Sequence, residues 1–99
     1  MRRVFPWSCR RHSHRGKPTV TLFSTEACTL CHDVVQELQP FQERIELEVV
    51  DIGRKENVRF LRLYRYDIPV IFLNGEFISE HRLNLQLFRR KLEEFELYE

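Results

Sequence analysis

No stretch of this chain comes near the roughly 18 to 20 consecutive apolar residues that a bilayer-spanning helix requires, so a membrane span is excluded on length. Cysteine is scarce, with three among 99 residues. A small, odd number of thiols excludes the disulfide framework of a secreted mini-domain and suits a reducing intracellular compartment. The eight phenylalanines, together with Leu, Ile and Val, must then hold the fold by packing. At about 100 residues only one small domain with an economical core fits. Internal repeats and low-complexity linkers are missing, and Trp7, Tyr64, Tyr66 and Tyr98 show no base-stacking pattern.

Acidic residues are absent from the first 17 positions, where Arg2, Arg3, Arg10, Arg11, Arg15 and Lys17 give a formal charge of +6. Removing these six from the sixteen basic residues leaves ten against fifteen acids, a net −5 for Pro18 to Glu99. Residues 1–17 therefore read as a basic flexible segment ahead of a domain at 18–99. Two readings of that segment stand side by side: a mitochondrial transit peptide, or a basic tail with no address. Its apolar residues Val4, Phe5 and Trp7 cluster at one end, while Pro6 and Gly16 interrupt a helix. The compartment is accordingly mitochondrial or cytoplasmic. Nucleic acid is not expected as a partner, since the acidic body would oppose a phosphate backbone.

Cys28-Thr29-Leu30-Cys31 carries the chemistry. The pair follows the extended apolar run Val20 to Phe23 and opens a helical pattern, so the two thiols at i and i+3 meet on a first helical turn. Cys28 faces unsatisfied N–H groups and the positive end of the helix dipole, which favours the thiolate. Cys28 is thus the nucleophile and Cys31 the resolving thiol. A Thr29 hydroxyl would assist the thiolate, whereas Glu26 and Asp33 oppose it by like charge.

Periodicity supplies the scaffold. Thr19 to Phe23 reads as a buried strand, followed by a helix with Val34, Val35, Leu38 and Phe41 on one side that ends near Pro40. Ile45, Leu47 and Val49 alternate with Glu46 and Glu48, predicting a strand with one wet face. Val58, Leu61 and Tyr64 recur at helical spacing. Ile68 to Leu73 reads as a third strand, joined to Glu76–Ser79 by the hairpin turn Asn74-Gly75. Leu85, Phe88, Leu92 and Phe95 form the stripe of a last helix. The expected order is β-α-β-α-β-β-α, with the dithiol at the C-terminal end of the first strand, where open α/β sheets place their sites.

Taken together, Thr21-Leu22-Phe23-Ser24 leading into Cys28-Thr-Leu-Cys31, followed by Asp67-Ile68-Pro69-Val70-Ile71-Phe72-Leu73-Asn74-Gly75, resemble the short glutaredoxin-like proteins of the thioredoxin superfamily. The resemblance spans about Thr19 to Leu92. It implies a three-layer α/β fold on a mixed four-stranded sheet and a dithiol that exchanges disulfides. It also implies a cis Ile68–Pro69 peptide lying against the cysteines, with the Ile68 backbone free to pair with an extended substrate.

Departures from the glutaredoxin pattern bear on the reductant. Thr29-Leu30 replaces Pro-Tyr between the cysteines, Thr25 stands where an upstream Lys would be, and Ile78-Ser79-Glu80-His81-Arg82-Leu83 lacks the paired glycines and Asp that hold glutathione. His81 and Arg82, just before the last helix, offer a substitute anion site. The substrate-binding set is then Thr25, Leu30, Ile68, Pro69 and Arg82. The expected partners are protein or small-molecule disulfides, with glutathione or a thioredoxin-type reductase as electron source. No tightly bound cofactor or metal is expected, glutathione entering only as a co-substrate, and the chain is expected to be a monomer.

Two alternatives remain at this level. The first is Cys-ligated metal or an iron–sulfur cluster, since thiolate pairs bind soft metals. Against a mononuclear site, His32 lies about 100° around the helix from Cys31, and His12, His14, His81 and Cys9 are scattered. A cluster bridged between two chains by Cys28 is the variant of this reading. The second alternative is a thioredoxin-fold binding module without turnover, docking an extended partner at Ile68 and Leu30.

Overall fold

The computed structural model describes residues 17–98, so the basic segment lies, Lys17 apart, outside the described residues. The elements are β1 (Thr19–Ser24), α1 (Thr29–Leu38), β2 (Glu46–Asp51), α2 (Val58–Tyr64), β3 (Val70–Leu73), β4 (Glu76–Glu80) and α3 (Leu85–Tyr98). This is the expected order. A 3₁₀ turn at Gln39–Phe41, with Pro40 inside it, closes off α1. Among the described residues no helix is long and apolar enough to cross a membrane.

The four strands form one mixed sheet in the order β2-β1-β3-β4. β1 runs parallel to β2 and antiparallel to β3, and β3 runs antiparallel to β4. Every residue of β1 is buried, as suits a central strand whose β-branched and aromatic residues are covered on both faces. Its alternation separates two clusters. Val20 and Leu22 face Val34 and Leu38 of α1 and Phe88 and Leu92 of α3. Phe23, on the opposite face, meets Phe60 and Tyr64 of α2 and Phe72 of β3. Its ring centroid lies 4.6 Å from that of Tyr64 and 5.3 Å from that of Phe60. Such aromatic contacts add about 0.5–1.5 kcal/mol each beyond area burial.

The hairpin forms as its residues dictate. Asn74 (φ 52°) and Gly75 (φ 88°) both take positive φ, the requirement of the tight turn that matches strand twist. Lys91 of α3 reaches Glu76 at the start of β4 at 2.8 Å, and Arg44 forms a two-pronged contact with Glu96 of α3 at 2.8 Å per bond.

Three sequence expectations change. Leu47 and Val49 pair with Val20 and Leu22 and so share their face, yet they are 40% and 52% exposed. They sit on an edge strand that the helices do not cover; alternation defines a face, not what covers it. In α2 the buried residues are Phe60 and Tyr64, whereas Val58 is exposed and Leu61 half-buried. The third strand begins at Val70 and not at Ile68, because Pro69, which follows Ile68 through a cis peptide bond, has no N–H for a ladder.

Candidate active site

Cys28 is the cap of α1 in an extended conformation (φ −88°, ψ 108°), and its sulfur accepts a hydrogen bond from the backbone N–H of Cys31 at 3.1 Å. That N–H is one of the orphan donors of a helix start, which a cap residue normally satisfies with an oxygen. Here a sulfur does so. The backbone N–H of Cys28 in turn donates to the carbonyl of Thr25 at 3.3 Å, which fixes the approach from β1 to the helix.

Cys28 and Cys31 are joined as a disulfide with their Cα atoms 5.2 Å apart, inside the usual range. The two sulfurs differ in access. Cys31 is 1% exposed beneath the first turn, while Cys28 is half-buried at the surface. That asymmetry suits one thiol meeting a substrate and the other acting from behind.

Pairing places the remaining groups. Phe23 is opposite Val70, so Pro69 falls at the end of the sheet from which β1 delivers Cys28. The carbonyl of Pro69 accepts from the N–H of His81 at 2.8 Å, tying the cis-proline segment to the turn between β4 and α3. His81 adopts a left-handed φ of 71°, unusual for a residue with a side chain. The same turn is secured by Asn84, whose N–H donates to Ser79 Oγ at 3.1 Å and whose Oδ1 accepts from Leu87 N–H at 3.1 Å.

Of the expected substrate-binding residues, Leu30 and Arg82 come together. They line a cleft of about 400 Å³ between α1 and the β4–α3 turn, within the size range of small-ligand sites. Thr25, Ile68 and Pro69 are at the dithiol end of the sheet but are not among that cleft's lining residues. His81, expected beside Arg82, lines it too, as do Asp33, Val34, Glu37 and Leu83, which no motif in the sequence marks as a site. Their signal was present: Leu30, Asp33, Val34 and Glu37 follow the i, i+3, i+4, i+7 spacing of one helix face. A second group could not be read from spacing at all. Buried Asp67 meets Glu80 and His81, with their ligand-type atoms within 4.8 Å of one another.

Asp67 also acts on Tyr64. Burial first, and then the charge of Asp67, push the Tyr64 phenol up to about 12.

Comparison with known proteins agrees with this architecture. Residues 19–93 match the glutaredoxin-like domain family (DUF836). A curated relative, the glutaredoxin-like protein YDR286C homolog of Dictyostelium discoideum, is 24% identical over 71 residues; the match covers 66% of this chain and 66% of the relative's length. Among solved structures, protein Ne2328 of Nitrosomonas europaea superimposes with a TM-score of 0.66 at 22% identity, covering 82% of this chain and 98% of that one. Protein SA0789 of Staphylococcus aureus, described as of unknown function, gives 0.56 at 15% identity, with coverages of 84% and 94%. At these identities the structures attest to the fold. With a family match across nearly the whole domain, on a mixed four-stranded sheet that delivers a Cys-x-x-Cys helix cap, the chain belongs to the glutaredoxin-like domain family.

Proposed function

We propose that the protein is a thiol–disulfide oxidoreductase in which Cys28 attacks and Cys31 resolves. The observation that carries this reading is the Cys31 N–H directed at the Cys28 sulfur, at the start of a ten-residue helix and opposite a buried partner thiol. In the reduced protein the same N–H and the helix dipole favour a thiolate on Cys28, the form that acts as nucleophile.

The exchange balances in two steps. The Cys28 thiolate attacks one sulfur of a substrate disulfide, forming a mixed disulfide and expelling the other sulfur as a thiolate. Cys31, on losing its proton, attacks the Cys28 sulfur; the Cys28–Cys31 bond forms and the second substrate thiolate leaves. Two electrons pass from the dithiol to the substrate, and an external thiol reductant must return them.

Thr25 in the place of a cationic side chain, and His81-Arg82 in the place of paired glycines, favour a protein reductant of the thioredoxin-reductase type over glutathione. Glutathione has no Lys at position 25 to hold its carboxylate.

The test measures reduction of insulin and of 2-hydroxyethyl disulfide, with electrons from thioredoxin reductase or from glutathione in parallel. Turnover that requires Cys28 is expected, faster with the protein reductant. Equal turnover by Cys28→Ser would overturn the reading, and a protein that resists both oxidation and reduction would favour a binding module instead.

A further inference from the structure

Asp33 and Glu37 are four residues apart on α1, a spacing at which like charges face each other and oppose helix formation. Both are exposed, and among the described residues neither has an ion-pair or hydrogen-bond partner. Arg82, on the opposite wall of the cleft, is likewise exposed and without a carboxylate in reach among the described residues. The cleft of about 400 Å³ thus has two carboxylates on α1 and the Arg82 and His81 side chains on the β4–α3 turn, over buried Val34 and Leu83. Leu30, which stands between the two cysteines in sequence, lines the same cleft, so a peptide crossing the dithiol has this cleft beside it.

We propose that this cleft is a specificity pocket for a Lys or Arg side chain flanking the cysteine of a disulfide substrate. The cation sits against Asp33 and Glu37 and relieves their mutual repulsion, its aliphatic stem covers Leu30 and Val34, and a backbone carbonyl of the peptide accepts from Arg82. A long side chain with an apolar stem and a charged tip is what a cleft with an apolar floor and an acidic wall accommodates. The inference rests on the oxidoreductase reading for its substrate, but the pocket itself is defined by charge and shape and can be tested without turnover.

The experiment uses symmetrical disulfides of three blocked dipeptides, Lys-Cys, Ser-Cys and Glu-Cys. Wild-type protein should show kcat/KM for the Lys-Cys disulfide on the order of tenfold above that for the Glu-Cys disulfide, with Ser-Cys between, since replacing Lys by Glu changes the charge beside the carboxylates by two units and solvent and salt screen the contact. In Asp33→Asn/Glu37→Gln that ratio should fall to one or below, because Arg82 and His81 remain in the cleft. Separately, the oxidised, non-reacting protein is titrated with blocked Lys-Ser dipeptide, and backbone NMR shifts are followed. Saturable shifts at Leu30, Asp33 and Glu37 that vanish in the double variant support the pocket. Turnover of all three disulfides without preference overturns the pocket and leaves the oxidoreductase reading standing. No turnover of any disulfide removes the oxidoreductase reading, and the NMR titration then decides the pocket; absence of shifts overturns it.

Discussion

The backbone N–H of Cys31 donates to the sulfur of Cys28 at 3.1 Å, so the nucleophile of the proposed reaction is also the cap of α1. Chemistry and folding are therefore joined at one side chain, and the right substitutions can separate them. Serine keeps an oxygen acceptor at the cap. In the reduced state Cys28→Ser should hold stability within about 1 kcal/mol of wild type, while Cys28→Ala loses about 0.5–2 kcal/mol. Both should abolish exchange. Cys31→Ser should instead trap substrate on Cys28, seen as a stable mixed disulfide by intact-mass measurement. If Cys28→Ser melted as early as Cys28→Ala, the capping role would be wrong.

Asn84 performs the corresponding task for α3, accepting from Leu87 N–H, and its own N–H is held by Ser79. Asn84→Ala should cost about 1 kcal/mol in urea denaturation, and Asn84→Asp should restore most of it. Because this cap adjoins His81 and Arg82, the alanine variant should also alter the chemical shifts of the cleft. Undisturbed shifts there would sever the link between cap and cleft.

Phe88 of α3 is fully buried and meets the ring of Phe41 edge-on at 5.1 Å. Removing it empties the contact between α3, the turn after α1 and the sheet. Phe88→Ala should lose about 3–5 kcal/mol, a large part of the 5–15 kcal/mol available to a small domain. Leu97→Ala, at a position 76% exposed, serves as the surface control and should change the denaturation midpoint little.

Stability should fall at both ends of the pH scale for different reasons. Tyr64, raised from 10 to about 12 by burial and then by Asp67, keeps its neutral form in the folded state. Its contribution is complete below pH 10 and is lost as pH rises from 10 to 12. Tyrosinate absorbance should show one late-ionising phenol, and Tyr64→Phe should flatten that part of the stability profile. At the acid end, hydrogen bonding to Arg44 lowers the Glu96 carboxyl, so its contribution is present above about pH 4.5 and declines below it. Both partners are well exposed, at 42% and 37%, and solvent screening limits the effect to about 1 kcal/mol or less. An acid limb identical in wild type and Glu96→Gln would remove that pair from the explanation.

The element order, the helix start at the dithiol and the Asn74-Gly75 turn could all be read from the chain, because each depends on local preferences: period, capping geometry and positive φ. The stripe of α3 was legible for the same reason, with Phe88 and Leu92 completely buried. Other features depend on which elements become neighbours. Leu47 and Val49 alternate as a half-buried strand should, yet stay exposed because β2 falls at the edge of the sheet. Asp67 meets Glu80 and His81, and Arg82 shares a cleft with Asp33 and Glu37, only after β3, β4 and α1 have been brought to one end of the domain. Local sequence sets the conformation of each segment; the pairing of distant segments, driven by burial of the two aromatic and aliphatic clusters, determines which charges share a cleft.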